Sequence, residues 1–364
     1  MLMADSGATA GLRYVDPPTN RSLIVNGAMQ VAQRGTSVTG NTAGGYLTAD
    51  RWNATISSLG TWTQTVETDA PTGSGLRKSL KMLCTTSKSS PAAANVAYME
   101  QRIEGQDLQR IGKGTASAKQ LSLSFWVKSN ATGTYVVSLY DNDNARSVSA
   151  SYSVSTSATW EQKTVTFPAD TTGAFDNDNA GSLYLWFMLA AGSDYTSGTI
   201  NTTWGSYTAA NLAPGQTNLA AATNNYWQVT GVQLETGPVA TPFEFEPYEA
   251  TLRKCQRYYY RNTTGANGFA DVTGFGAAAS TTSAQVPVIH PVPMRVAPTA
   301  VEYSALKWRD AAANSVAISA ASITSATPDV TIVAATSSSL TQHRPVTLCG
   351  DNSTTAYIAL TAEL

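Results

Sequence analysis

Apolar and polar residues alternate with a period of two along much of this chain, the signature of strands with one buried face. In LSLSFWVKS, Leu121, Leu123, Phe125 and Val127 share one face, and Ser122, Ser124, Trp126 and Lys128 the other. SLYLWFMLA puts Leu183, Leu185, Phe187 and Leu189 inward, with Tyr184, Trp186 and Met188 opposite. TYVVSLY at 134–140 predicts another strand, and WEQKTVTFP a further one that stops at Pro168. In YWQVTGVQLE the parity slips: Trp227 and Val229 are odd, Val232 and Leu234 even. A bulge or bend at Thr230-Gly231 absorbs such a slip. The best helical period lies in EPYEATLRKCQRYYY, where Leu252, Cys255 and Tyr259 form one short stripe. It predicts a connecting helix at a domain boundary.

Beyond that helix the chain reads as short strands: SVAIS, DVTIVA, VTLCG and TAYIALTAEL. VPVIHPVPMRVAPT carries four prolines, which forbids a helix and suits an edge strand or an extended crossing segment. Many short strands broken by turns predict an all-β chain of antiparallel β-sandwich, jelly-roll-like domains. The expected organisation is an extended arm at 1–20, a large domain at 21–250 and a smaller β-sandwich at 251–364. The arm has Pro17-Pro18 and no apolar run able to build a core, so it is expected to dock on other proteins.

Composition narrows the functions. Charged residues are 13% of the 364 and the formal net charge is -2. That leaves no field for a polyanion, and Arg253, Lys254 and Arg257 are offset by Glu244, Glu246 and Glu249, so direct nucleic-acid binding is not expected. The most apolar stretch, Leu183 to Ala191, is too short for a membrane helix. Three cysteines, Cys84, Cys255 and Cys349, make no disulfide framework and read as buried thiols. A surface with so few charges suits broad contacts with neighbouring subunits, and a homo-oligomer is expected.

Candidate chemistry is sparse. The loop 191–225 holds Tyr195, Trp204 and Tyr207 amid Asn, Thr and Ser, a combination that suits a polar ligand such as a glycan; packing is the competing reading. Trp126 and Trp186, on the outward faces of their strands, line a groove or are covered by loops or a neighbouring chain. DNDN occurs at 141–144 and 176–179, and the hard oxygens of Asp141, Asp143, Asp176 and Asp178 would suit Ca2+; ordinary Asx turns explain the runs equally well. Asp50-Arg51-Trp52 reads as an Asp–Arg pair beside a ring, and Gln33-Arg34-Gly35 and Gln256-Arg257-Tyr258-Tyr259 as arginine–ring packing. The two histidines, His290 and His343, lack a nucleophile pattern, and no phosphate-binding loop is present, so no enzyme is expected.

Two stretches carry a resemblance. LIVNGAMQVAQRGTSVTG with YLTADRWN, and YWQVTGVQLETGPVATPFEFEPYEATLRKCQRYYY, resemble a module of tailed-bacteriophage tail-fibre and related virion structural proteins. LSLSFWVKS, ATWEQKTVTFP and GTINTTWGSY fit the same module, and PVPMRVAPT with YIALTAEL is similar to the small domain that follows it. The resemblance implies a carbohydrate-binding-module-like jelly roll, a place in the virion, assembly as a trimer and a tryptophan at Trp204 that serves packing. Three functions remain open: a tail-fibre or adsorption-apparatus subunit contacting host surface glycans, a capsid-bound head fibre or decoration protein, and a polysaccharide-degrading virion enzyme. Residues 1–20 would join the chain to other virion proteins.

Overall fold

The computed structural model describes residues 2–4, 12–14, 20–310 and 315–364. Strands make up 45% of the chain and helices 7%, far below the roughly one third of helix in an average globular protein. Every strand pair of the two large domains is antiparallel, giving β-sandwiches of jelly-roll type.

Two sheets form the first sandwich. One has seven strands in the order Gly205–Ser206, Arg146–Val154, Gly133–Asp141, Gly181–Ala191, Val96–Glu104, Asn53–Ser57 and Gly44–Tyr46. The other has six: Glu161–Phe167, Leu121–Ser129, Tyr226–Thr236, Ser79–Thr86, Thr61–Glu67 and Ser37–Asn41. The inward rows predicted by alternation meet between them. Phe125 and Phe187 touch edge to face at 5.0 Å, Phe187 lies 5.4 Å from Trp227, and Tyr152 closes on Phe125 at 5.0 Å. Leu121, Leu123, Val127, Leu183, Leu185 and Leu189 complete this core.

The parity slip at Gly231 is a bulge. Pairing of Tyr226–Thr236 with Leu121–Ser129 shifts register between Thr230 and Gln233, and Gly231 has φ 61°. One extra residue lets Trp227 and Val229 before the bulge, and Val232 and Leu234 after it, all reach the core.

The Tyr248–Gln256 helix follows and buries Thr251 and Cys255. Beyond it a three-stranded sheet and a second seven-stranded sheet enclose another core, with Val286, Trp308, Val333, Leu348 and Ile358 at its centre. Of the four prolines at 287–298 only Pro287 falls in a strand, Ser283–Ile289, which lies inside this sheet's order and not at its end. The three cysteines are buried and unpaired. At the start of the chain, Leu2–Ala4 pairs with Leu12–Tyr14 as a sheet of its own. The other residues of the expected 1–20 arm lie outside the described residues, save Asn20.

Candidate functional site

The seven-stranded sheet of the first domain turns one face to the core and the other outward. Outward residues stand in cross-strand rows fixed by the register. Tyr140 is opposite Tyr184, and Tyr184 opposite Arg102. In the next row Ser138 faces Trp186, Trp186 faces Glu100, and Glu100 faces Asn53. Met188 faces Tyr98 in the third. Cross-strand neighbours of this kind sit about 5 Å apart, so the rings must meet.

They meet in one cluster. Tyr140 stacks on Trp186 with centroids 4.9 Å apart and planes 11° from parallel. Tyr98 lies 5.5 Å from Trp186, Tyr184 6.3 Å, and Tyr207 touches Tyr140 edge-on at 5.1 Å. Trp186 is nearly covered, while Tyr98, Tyr140, Tyr184 and Tyr207 are partly buried. The result is a patch of tyrosine rings resting on a tryptophan floor. Burial pushes the phenol pKa of Tyr98, Tyr184 and Tyr207 up, so at neutral pH the patch offers uncharged rings and hydroxyls.

Polar groups frame the rings. Glu100 is buried and accepts from Trp186 Nε1 at 2.8 Å, from Asn53 Nδ2 at 2.7 Å, and from Arg102 Nε and a terminal nitrogen at 3.0 and 2.7 Å. With its oxygens engaged this way it holds the floor in place. Arg102 lies 5.0 Å from the centre of the Tyr184 ring.

The loop at 191–225 brings Tyr195 and Tyr207 to this face, packed beside Leu212 and Ala213. Ala213 N–H donates to the Tyr195 carbonyl at 2.8 Å, and Tyr207 N–H to that of Ala145 at 2.8 Å. Trp204 goes elsewhere. It packs against the main core, its Nε1 donating to the Pro168 carbonyl at 2.9 Å, with the Lys113 ammonium 5.2 Å from its ring. Of the three loop aromatics singled out in the sequence, two belong to the outer patch and one to the interior. Trp186 lies under the patch, and Trp126 is half-buried on the opposite sheet beside Gly231. Tyr184 and Tyr140 were readable as outward by parity. Tyr98 was not, because VAYMEQRIE alternates poorly.

The two DNDN runs lie side by side. The Asp176 N–H donates to Asp143 at 3.0 Å, and Asp178 accepts from Ala180 N–H at 2.9 Å. Asp141 is fully buried and bound by the Lys113 ammonium at 2.5 Å. That ammonium also contacts Asp170 at 3.1 Å and donates to the carbonyls of Thr172 and Gly173 at 2.9 and 2.7 Å. A lysine thus sits where oxygens converge. Among the described residues no group of three His, Cys, Asp or Glu side chains is arranged to hold a metal ion.

The arginine motifs also resolve. Asp50 and Arg51 do not pair with each other. Asp50 accepts from the Gln33 N–H at 2.9 Å, while Arg51 reaches across the molecule to Glu363 and stacks 3.4 Å from the Tyr258 ring centre. Arg34 joins Glu363 at 3.2 Å and lies 3.5 Å from the centre of Tyr259. Arg257 binds Glu104 through two nitrogens at 2.7 Å, and Tyr258 donates to the same carboxylate at 2.5 Å. Asp50 keeps its partner within the first sandwich, while Arg34, Arg51 and Arg257 find carboxylates or rings of the other part of the chain and clasp the two sandwiches together. His290 is buried between the Pro328 carbonyl at 2.6 Å and Thr331 Oγ1 at 3.0 Å, a packing role.

No family model and no curated protein matches this sequence. Among solved structures, the enzymatically active domain of tailspike protein 4 of bacteriophage CBA120 is similar over 59% of this chain and 21% of its own length, with 13% identity and a TM-score of 0.32. A family 61 carbohydrate-binding module in complex with β-1,4-galactotriose overlaps 60% of this chain and 99% of its own, with 7% identity and a TM-score of 0.31. The family 11 carbohydrate-binding module of a Clostridium thermocellum cellulosomal cellulase overlaps 55% and 96%, with 11% identity and a TM-score of 0.29. Overlaps this distant carry no functional inference for this chain. The class that its own structure defines is an antiparallel jelly-roll sandwich with an aromatic outer face.

Proposed function

We propose that this chain is a non-enzymatic structural subunit of a tailed-phage virion appendage and that its tyrosine face binds a host-surface glycan. The observation that carries the glycan reading is the partly buried cluster of Tyr98, Tyr140, Tyr184 and Tyr207 over Trp186. Sugar rings present apolar C–H faces ringed by hydroxyls, and flat aromatics framed by hydrogen-bonding groups match both. The virion reading is supported by the two long sequence stretches that resemble tail-fibre proteins, and residues 1–20 are its proposed attachment element. A trimer is the proposed assembly.

Screening the intact protein against an array of bacterial surface polysaccharides tests the glycan reading. Tyr140→Ala and Tyr184→Ala should each weaken binding about tenfold, equivalent to about 1.4 kcal/mol, while the melting temperature stays within a few degrees. Trp204→Ala should lower stability instead. An array without a hit, or hits that both tyrosine variants retain at full strength, would overturn it.

A further inference from the structure

The three rows of the tyrosine face continue across the sheet, to Ser147, Ser149 and Ser151 on one side and to Thr55 and Tyr46 on the other. In these rows only Glu100 and Arg102 carry charge, and they bind each other. Each nitrogen of Arg102 is engaged inside the protein. Nε and one terminal nitrogen donate to Glu100 at 3.0 and 2.7 Å, and the other terminal nitrogen donates to the Leu364 carbonyl at 3.0 Å. An acidic group on a ligand would have to compete with these bonds.

The arginines beside the face are held in the same way. Past Tyr46, Arg34 and Arg51 share Glu363. Arg146, whose strand partner Ser206 precedes Tyr207, binds Asp170 at 2.8 and 3.0 Å. The loop at 191–225, which brings Tyr195 and Tyr207 to the face, has a single charged residue, the carboxylate Asp194. Asp143, in the turn that follows the Gly133–Asp141 strand, adds a further negative charge that acts on Tyr184. The rings are thus surrounded by cations that already have partners and by surplus carboxylates.

This balance selects among sugars. The face of an aromatic ring carries the negative part of its quadrupole. A carboxylate or phosphate laid on such rings loses water and gains no counter-ion, which is unfavourable. A neutral sugar loses only the hydration of its hydroxyls, and phenol hydroxyls can both donate and accept in place of that water.

We propose that the ligand of this face is an uncharged glycan, and that chains bearing carboxylate or phosphate groups bind it more weakly than neutral chains of the same sugars. This class of ligand rests on the glycan reading of the tyrosine cluster.

Uronic-acid polysaccharides of bacterial surfaces can be immobilised in pairs, one member native and the other with its carboxyls reduced to primary alcohols, so that charge is what differs. The full-length protein should bind the reduced member more tightly, by about tenfold. Raising sodium chloride from about 50 mM to about 500 mM should change the affinity for the reduced member less than about twofold, because no ion pair is there to screen. Binding should fall with Tyr140→Ala, or with Tyr184→Ala if the first variant fails to fold. Equal or stronger binding to the native member, lost with the tyrosine variant, overturns the ligand class and leaves the glycan reading standing. An affinity for the reduced member that drops severalfold with salt does the same. Pairs in which neither member binds, or binding that survives both tyrosine variants, overturn the glycan reading and the ligand class with it.

Discussion

Glu363 shows how much one side chain can hold. It is nearly buried and faces both Arg34 and Arg51, the latter 2% exposed. Removing the partner of a buried charge costs about 3–5 kcal/mol, because the stranded ion has lost its water as well as its counter-ion. Glu363→Ala should therefore lower unfolding stability by that amount in a denaturant titration. Lys113 is the second such residue. Lys113→Met would leave the buried Asp141 without its cation, Asp170 keeping Arg146 at 2.8 Å, and should cost a similar amount. With the ammonium in place, neither added Ca2+ nor a chelator should move the melting temperature of the wild type. Asp50 gives a pH dependence. Burial raises its pKa to about 6, against hydrogen bonds from Gln33 that favour the charged form. A carboxyl that holds its proton more tightly when folded favours the native state at low pH. Its contribution is fully present below about pH 4, falls as pH rises, and is gone above about 6. The span is about 3 kcal/mol at most. Subtracting the stability curve of Asp50→Asn from that of the wild type over pH 4–7 isolates it, and a difference that grows with pH would contradict the assignment.

At the scale of the element, alternation was legible and its interruptions were informative. The Leu121–Ser129 and Gly181–Ala191 strands bury the faces their periodicity predicts, because only one side of each strand can reach the other sheet. The slip at Gly231 marked a real bulge. A Cβ there would stand 2.8 Å from Leu76 Cδ1, and φ is in the left-handed region. Gly231→Ala should destabilise the protein by about 1–3 kcal/mol, measured by thermal or urea unfolding. Of the four prolines expected in an edge strand or an extended crossing segment, Pro291, Pro293 and Pro298 lie outside any strand and Pro287 alone lies within one. Pro287 suits an edge, yet Ser283–Ile289 is internal to the sheet order. Both hold because the sheet opens beside Pro287, so the strand is internal on one side and an edge on the other.

For the whole molecule, the two sandwiches meet through charged and aromatic side chains more than through a shared apolar core. The residues around Glu363, Arg51, Tyr258 and Glu104 come from both ends of the chain. No helix among the described residues is long and apolar enough to cross a membrane. The attachment role proposed for residues 1–20 is testable at this scale. Deleting them should leave a folded protein with an unchanged melting temperature that no longer enters phage particles. Normal incorporation without the arm would end that role, and imaging the full-length protein on particles would place it on tail or capsid.

The sequence by itself determined the class of fold, because a period of two in apolar residues admits only strands with one buried face. It also placed the connecting helix and the bulge, since each breaks that period locally. What only the tertiary structure decided was which side chains meet. Parity says that Tyr140, Tyr184 and Trp186 point outward, but register alone stacks them, and loop closure alone sends Tyr207 to the patch and Trp204 to the core. The same limit separates Asp50 from Arg51. Adjacent in sequence, they point apart in space, and the partners of Arg51 lie some two hundred and three hundred residues further along the chain.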